Sequence, residues 1–158
     1  MHIVFNDDTA VDNHLTNEIY KAAEMCLKNE NIDYGKAEIS ISFVSNDEIR
    51  SLNAQYRNNN CVTDVLSFPQ YTSKDEFSLN NSCICLGDVV ISLEKAEEQA
   101  IEFGHSKSSE VVYLIVHSIF HLLGYDHMNE EERVIMRIKE EDVMNELQLG
   151  RLDNNEGV

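Results

Sequence analysis

Hydrophobic and polar positions along the chain switch between two periods. Residues 2–6 (HIVFN) read as a short strand. Leu15, Ile19, Ala22, Ala23, Cys26 and Leu27 then recur at helical spacing and predict an amphipathic helix over residues 12–29. Residues 36–45 (KAEISISFVS) alternate, with Ile39, Ile41 and Phe43 on one face, and predict a second strand. Asn46 is placed to cap a short helix running to Leu52, and Asn58, Asn59 and Asn60 mark a loop. Residues 63–69 (TDVLSFP) predict a third strand, ended by Pro69. A polar connection covers residues 71–82. Residues 83–92 (CICLGDVVIS) predict a fourth strand, and Ser92 is a candidate cap for the helix LEKAEEQAIEF.

The pattern changes again over residues 109–123. Val111, Val112, Tyr113, Leu114, Ile115, Val116, Ile119, Phe120, Leu122 and Leu123 leave almost no polar face, so this helix is expected to be buried. A last, highly charged helix follows in NEEERVIMRIKEEDVMNEL, where Asn129 and Glu132 have the spacing of a capping box. Strands interleaved with helices predict an α/β or α+β fold: a small mixed four-stranded sheet covered by helices, with one buried central helix. A length of 158 residues accommodates one such domain, spanning 1–158.

Composition narrows the function classes. The formal net charge is −17, with only twelve Lys and Arg, so broad electrostatic attraction to nucleic acid is not expected; RNA binding would need a local basic pocket or a helper protein. The first residues carry neither a basic nor an apolar leader segment, and the longest apolar run, VVYLIV, is far short of a membrane helix. A cytoplasmic protein with no membrane association is expected. None of the four cysteines forms a C-x2-C pair; Cys83 and Cys85 share a strand face, and reduced thiols packed in or near the core are expected rather than ligands.

The chemistry concentrates in HSIFHLLGYDH, residues 117–127. His117 and His121 are four apart on the buried helix, so they share a face. Gly124 allows a left-handed turn that brings His127 back toward them. Three imidazoles with a fourth position left to water is the layout of a catalytic zinc site; nickel, copper and iron are also compatible with imidazole ligation. The register matches the zinc-protease pattern H-E-x-x-H-x-x-G-x-x-H except that Ser118 replaces the glutamate. That glutamate is the general base of the proteases, and a hydroxyl is a poor substitute, so peptide hydrolysis by that route is disfavoured. Asp126, next to His127, is the candidate for orienting a ligand histidine or accepting a proton. Tyr125 reads as packing.

Three segments together carry a resemblance. HSIFHLLGYDH resembles the H-G-x-x-H-L-x-G-Y-D-H signature of the YbeY family of bacterial endoribonucleases and rRNA maturation factors. LN at 52–53 followed by YRNNNCVTDVLSFP (56–69) resembles that family's LN-x3-YR…TDVLSFP block, and LGDVVIS (86–92) resembles its LGDI-I-S strand. The resemblance implies a small mixed sheet and one zinc ion held by His117, His121 and His127. It also implies cleavage of single-stranded RNA, maturation of the 16S rRNA 3′ end, and ribosome quality control. The implied partners are single-stranded rRNA and the ribosomal small subunit or its proteins. Arg57 matches the family's functional arginine, and a guanidinium suits phosphate because it pairs bidentately and stays charged. Ser118 stands where the family usually has glycine, Asn58–Asn60 where glycine, lysine and aspartate are common, and Val62 where proline is common. Two other readings remain open. One is a metal hydrolase of another substrate class. The other is a non-catalytic ribosome-assembly factor whose metal is structural.

Overall fold

The structure is a computed structural model that describes residues 1–6, 11–71 and 83–148. In chain order the elements are β1 (His2–Asn6), α1 (Asn13–Asn29), β2 (Ala37–Val44), α2 (Asn46–Arg57), β3 (Val65–Pro69), β4 (Ile84–Ser92), α3 (Leu93–Phe103), α4 (Lys107–Leu122) and α5 (Glu130–Glu146). Four strands form one mixed sheet in the order β1-β2-β4-β3. The first three are parallel, and β3 runs antiparallel along β4. A parallel neighbour needs a crossover, which α1 supplies between β1 and β2. The expected α/β architecture, its four strands and its helices are therefore present. The connection expected over residues 71–82 lies, apart from Tyr71, outside the described residues.

Side chains of β4 alternate between the two faces of the sheet. Val89 and Ile91 enter the main core with α1, α3, α4 and α5. Val90 faces the other way, into a smaller cluster with Leu66 of β3 and Ile49 of α2. So α2 covers one face while the remaining helices cover the other. Gly87 sits where β3 crosses close: a Cβ there would lie 2.2 Å from the Phe68 carbonyl oxygen.

The central helix α4 is buried as its composition requires, with Val112, Ile115, Val116, Ile119 and Phe120 all excluded from solvent. It packs on α1, α3, α5, β3 and β4.

Several local expectations change. Asn46 does not cap α2; Ser45 does, accepting from the Glu48 amide while Glu48 accepts from the Ser45 amide, a complete capping box. Asn46 instead accepts from the Ser92 hydroxyl and donates to Glu98, tying α2 to α3. The helix also continues past Leu52 to Arg57 and ends at Asn58 in a left-handed conformation that asparagine tolerates. At α5, Asn129 accepts from the Glu132 amide, but the Glu132 carboxylate accepts from Met128, one residue before the cap. Strand β3 starts at Val65, not at residue 63: Thr63 and Asp64 precede it, the Thr63 hydroxyl donates to Asp64, and the Asp64 carboxylate also accepts from the Gln99 side chain. Of the cysteines only Cys26 is fully buried, while Cys61 and Cys85 are exposed. Cys83 and Cys85 do share a face, with their sulfurs 3.5 Å apart.

Candidate metal centre and cleft

Helix α4 ends where the sequence places a glycine. Gly124 adopts φ +106°. Its amide donates to the His121 carbonyl and the Tyr125 amide to the Phe120 carbonyl, the paired bonds of a Schellman termination. The Tyr125 ring then packs edge-on against Phe120, with centroids 5.8 Å apart. This turn reverses the chain and delivers His127 to the two helical histidines.

The three rings converge. Ring centroids lie 4.6 Å apart for His117 and His121, 4.8 Å for His121 and His127, and 5.7 Å for His117 and His127. One ligand atom from each lies within 4.8 Å of the others, a grouping that could hold a metal ion.

The hydrogen bonds behind the rings fix which nitrogen faces inward. His117 Nδ1 lies 2.5 Å from Glu140 Oε2. An ionised carboxylate can only accept, so Nδ1 carries the hydrogen and the Nε2 lone pair is left for a ligand. His121 Nδ1 lies 3.0 Å from the Tyr125 carbonyl oxygen, and the same reasoning frees its Nε2. Burial, followed by the neighbouring His117, holds the His121 imidazole below the usual histidine range and favours the neutral form that ligates metal.

The carboxylate that orients the site comes from α5. Glu140 is only 5% exposed and also accepts from the Tyr113 hydroxyl at 2.8 Å, so both its oxygens are engaged. Sequence reasoning missed it inside the charged run KEED. The available signal was spacing: Met136, Glu140, Val143 and Met144 fall on one buried stripe of α5. A further network braces the turn. Glu30 accepts from the Tyr125 hydroxyl at 2.6 Å and from Lys139 at 2.8 Å, joining α1, the turn and α5. The bond to Glu30 raises the Lys139 ammonium above its ordinary value.

The histidines open onto a cleft of about 750 Å³. Arg57 reaches the same cleft from the end of α2, and Asp126 lines it beside His127. Asp126 is exposed, and its Oδ1 accepts from the His127 amide at 2.7 Å. The Arg57 guanidinium donates to the Ser67 carbonyl and lies over the Phe68 ring, 5.1 Å from its centroid. Two bonds fix the orientation of β3 beside it: Gln70 N–H donates to Leu86, and Ser92 N–H donates to Asp64. The even-numbered residues thus face β4, and Ser67 points its backbone outward to Arg57. Ser118 is fully buried, has no hydrogen-bond partner for its hydroxyl among the described residues, and does not line the cleft. The position that carries the base in zinc proteases is thus turned into the core.

Fold and site define a small α/β protein with three histidines lining a cleft, a grouping that could hold a metal ion. The comparisons specify it further. The chain belongs to the Endoribonuclease YbeY family, whose model matches residues 2–148. A Finegoldia magna protein named Endoribonuclease YbeY is 48% identical over 89% of this chain and 88% of its own length. A Clostridium botulinum (strain Hall) protein of the same name is 45% identical over 89% of this chain and 93% of its own. The solution structure of TM1509 from Thermotoga maritima superposes with a TM-score of 0.58 at 27% identity, covering 93% of this chain and 91% of that one. Among the described residues, no helix is long and apolar enough to cross a membrane.

Proposed function

We propose that the protein is a zinc-dependent endoribonuclease that cuts single-stranded rRNA in the cytoplasm, acting in maturation of the 16S rRNA 3′ end and in ribosome quality control. The observation that carries the reading is one cleft containing both the three convergent histidines and Arg57. The names of the relatives supply the substrate class. The resemblance in sequence supplies the ribosomal setting, including the small subunit or its proteins as partners.

The donor set fits zinc: three imidazoles, two with Nδ1 anchored and Nε2 free. Bound there, a zinc ion supplies a Lewis acid and a water acidified to about pKa 7. The protein's own groups do the rest. Arg57 binds the scissile phosphate with guanidinium donors not used on Ser67. Asp126 has one oxygen on the His127 amide and offers the other as proton acceptor. Glu140 and the Tyr125 carbonyl keep two rings in the ligating tautomer. The buried Ser118 argues against a protease mechanism.

The test is cleavage of single-stranded RNA by purified protein beside His117→Ala, with elemental analysis of both. Metal-dependent cleavage and one zinc per chain, both lost in the variant, are expected. Equal cleavage by both proteins would remove the site from the reaction. Normal rRNA processing by a folded, metal-free variant would favour an assembly factor instead.

A further inference from the structure

The chain carries 29 acidic residues against twelve Lys and Arg, and only five of the twelve are arginine. Arg57 lines the cleft described above. Arg133 and Arg137 line a second, smaller cavity of about 200 Å³ on the α5 side. His117 and His127 line both. Three of the five arginines therefore border two openings that share a histidine wall, on a protein whose charge is otherwise strongly negative.

Arg133 and Arg137 are four residues apart on α5, so they project side by side. Met136 between them is buried and anchors that turn of the helix. Neither guanidinium is committed to the fold. The ion pair of Arg133, with Glu130 at 3.3 Å, is between exposed side chains, where such pairs hold weakly. Arg137 is exposed and forms no ion pair among the described residues. The acid that shares the cavity, Glu140, has its oxygens occupied by Tyr113 and His117. The volume lies below the roughly 300 Å³ at which small-molecule pockets begin, which suits a phosphate better than a whole nucleotide.

We infer that Arg133 and Arg137 clamp a backbone phosphate of the RNA strand on the α5 side of the histidines, so that the strand runs past the histidine cluster instead of ending at it. This rests on the endoribonuclease reading above. It also gives the acidic chain a local basic track: Arg57 on one side of His117 and His127, and the α5 pair on the other.

The experiment measures binding of labelled single-stranded oligoribonucleotides, roughly two to sixteen nucleotides long, over a salt series. It compares the full-length protein, Arg133→Gln/Arg137→Gln, Arg133→Lys/Arg137→Lys and Arg50→Gln, an exposed arginine of α2 outside both cavities. For long oligonucleotides the glutamine pair is expected to bind about tenfold more weakly, with the salt slope reduced by about 0.7 for one lost phosphate contact. The shortest oligonucleotides should lose little. The lysine pair should keep the salt slope, and Arg50→Gln should match the parent. Parent-like affinity and slope in the glutamine pair, with RNA binding intact, would overturn the clamp and leave the nuclease reading standing. A loss equal at every length, or an equal loss in Arg50→Gln, would overturn it in favour of general charge. Absence of RNA binding by the parent protein would overturn the nuclease reading as well.

Discussion

Replacing Glu140 probes the candidate metal centre from behind. The carboxylate accepts from His117 Nδ1 at 2.5 Å and from the Tyr113 hydroxyl at 2.8 Å, in a setting almost free of water. Glu140→Gln keeps the shape. Its amide oxygen can still accept from His117, and its amide nitrogen can donate to the Tyr113 oxygen, so the tautomer survives while the negative charge is lost. Removing such an orienting partner lowers metal affinity about 10–100-fold, equivalent to roughly 1.4–2.7 kcal/mol. Glu140→Ala does more. It removes the acceptor that the half-buried Tyr113 hydroxyl and His117 N–H share, a cost of at most about 1–3 kcal/mol each. The assay is zinc affinity by chelator competition, paired with thermal melting of the metal-free protein. Glutamine should lose affinity at nearly unchanged apo stability, whereas alanine should lose both. Parent-like zinc affinity in both variants would refute the assignment of Glu140 as the residue that orients His117.

Three other outcomes are expected. Gly124→Ala would meet nothing within 4 Å of its new Cβ, so its cost is the backbone alone, about 1–3 kcal/mol for a residue held at φ +106°; a lowered melting temperature with weaker zinc binding is expected, and an unchanged melt would show the turn to be unstrained. Arg57→Lys keeps the charge but loses the planar fork, so RNA cleavage should fall about tenfold or more while melting changes little; full activity would assign Arg57 to packing on Phe68. In native protein a thiol reagent should modify Cys61 and Cys85 readily and leave Cys26 untouched until unfolding, because burial both shields that thiol and raises its pKa; rapid native labelling of Cys26 would contradict its place in the core.

The parts of the site that are local in sequence were legible there. His117, His121, Gly124 and His127 fall within eleven residues, and helix periodicity plus one glycine is enough to bring the rings together. The parts that depend on tertiary packing were less visible. Arg57 stands out in the sequence only by resemblance, because the local pattern ends helix α2 at Leu52; the helix runs on to Arg57 and carries it to the cleft. Asp126 was the visible acid beside a histidine, and its carboxylate bonds the adjacent backbone. Glu140 holds the His117 ring from 23 residues further along the chain. No local pattern links the two residues, and only the apolar stripe of α5 shows that one glutamate of a charged run is buried. The same limit applies to the cysteines: hydrophobic character pointed inward, but strand position leaves Cys85 in solvent.

The placement of β3 has a consequence for what the cleft can recruit. An outer strand normally offers a row of free backbone donors and acceptors to which another extended chain can add. Here the outward carbonyl of Ser67 is occupied by Arg57, and the next outward position is Pro69, which has no N–H to give. At these two positions the rim of the cleft is blunted against strand addition by a peptide or by a second copy. What a polymer meets there is the Arg57 guanidinium in place of a free carbonyl, a donor that suits a charged backbone better than a strand edge.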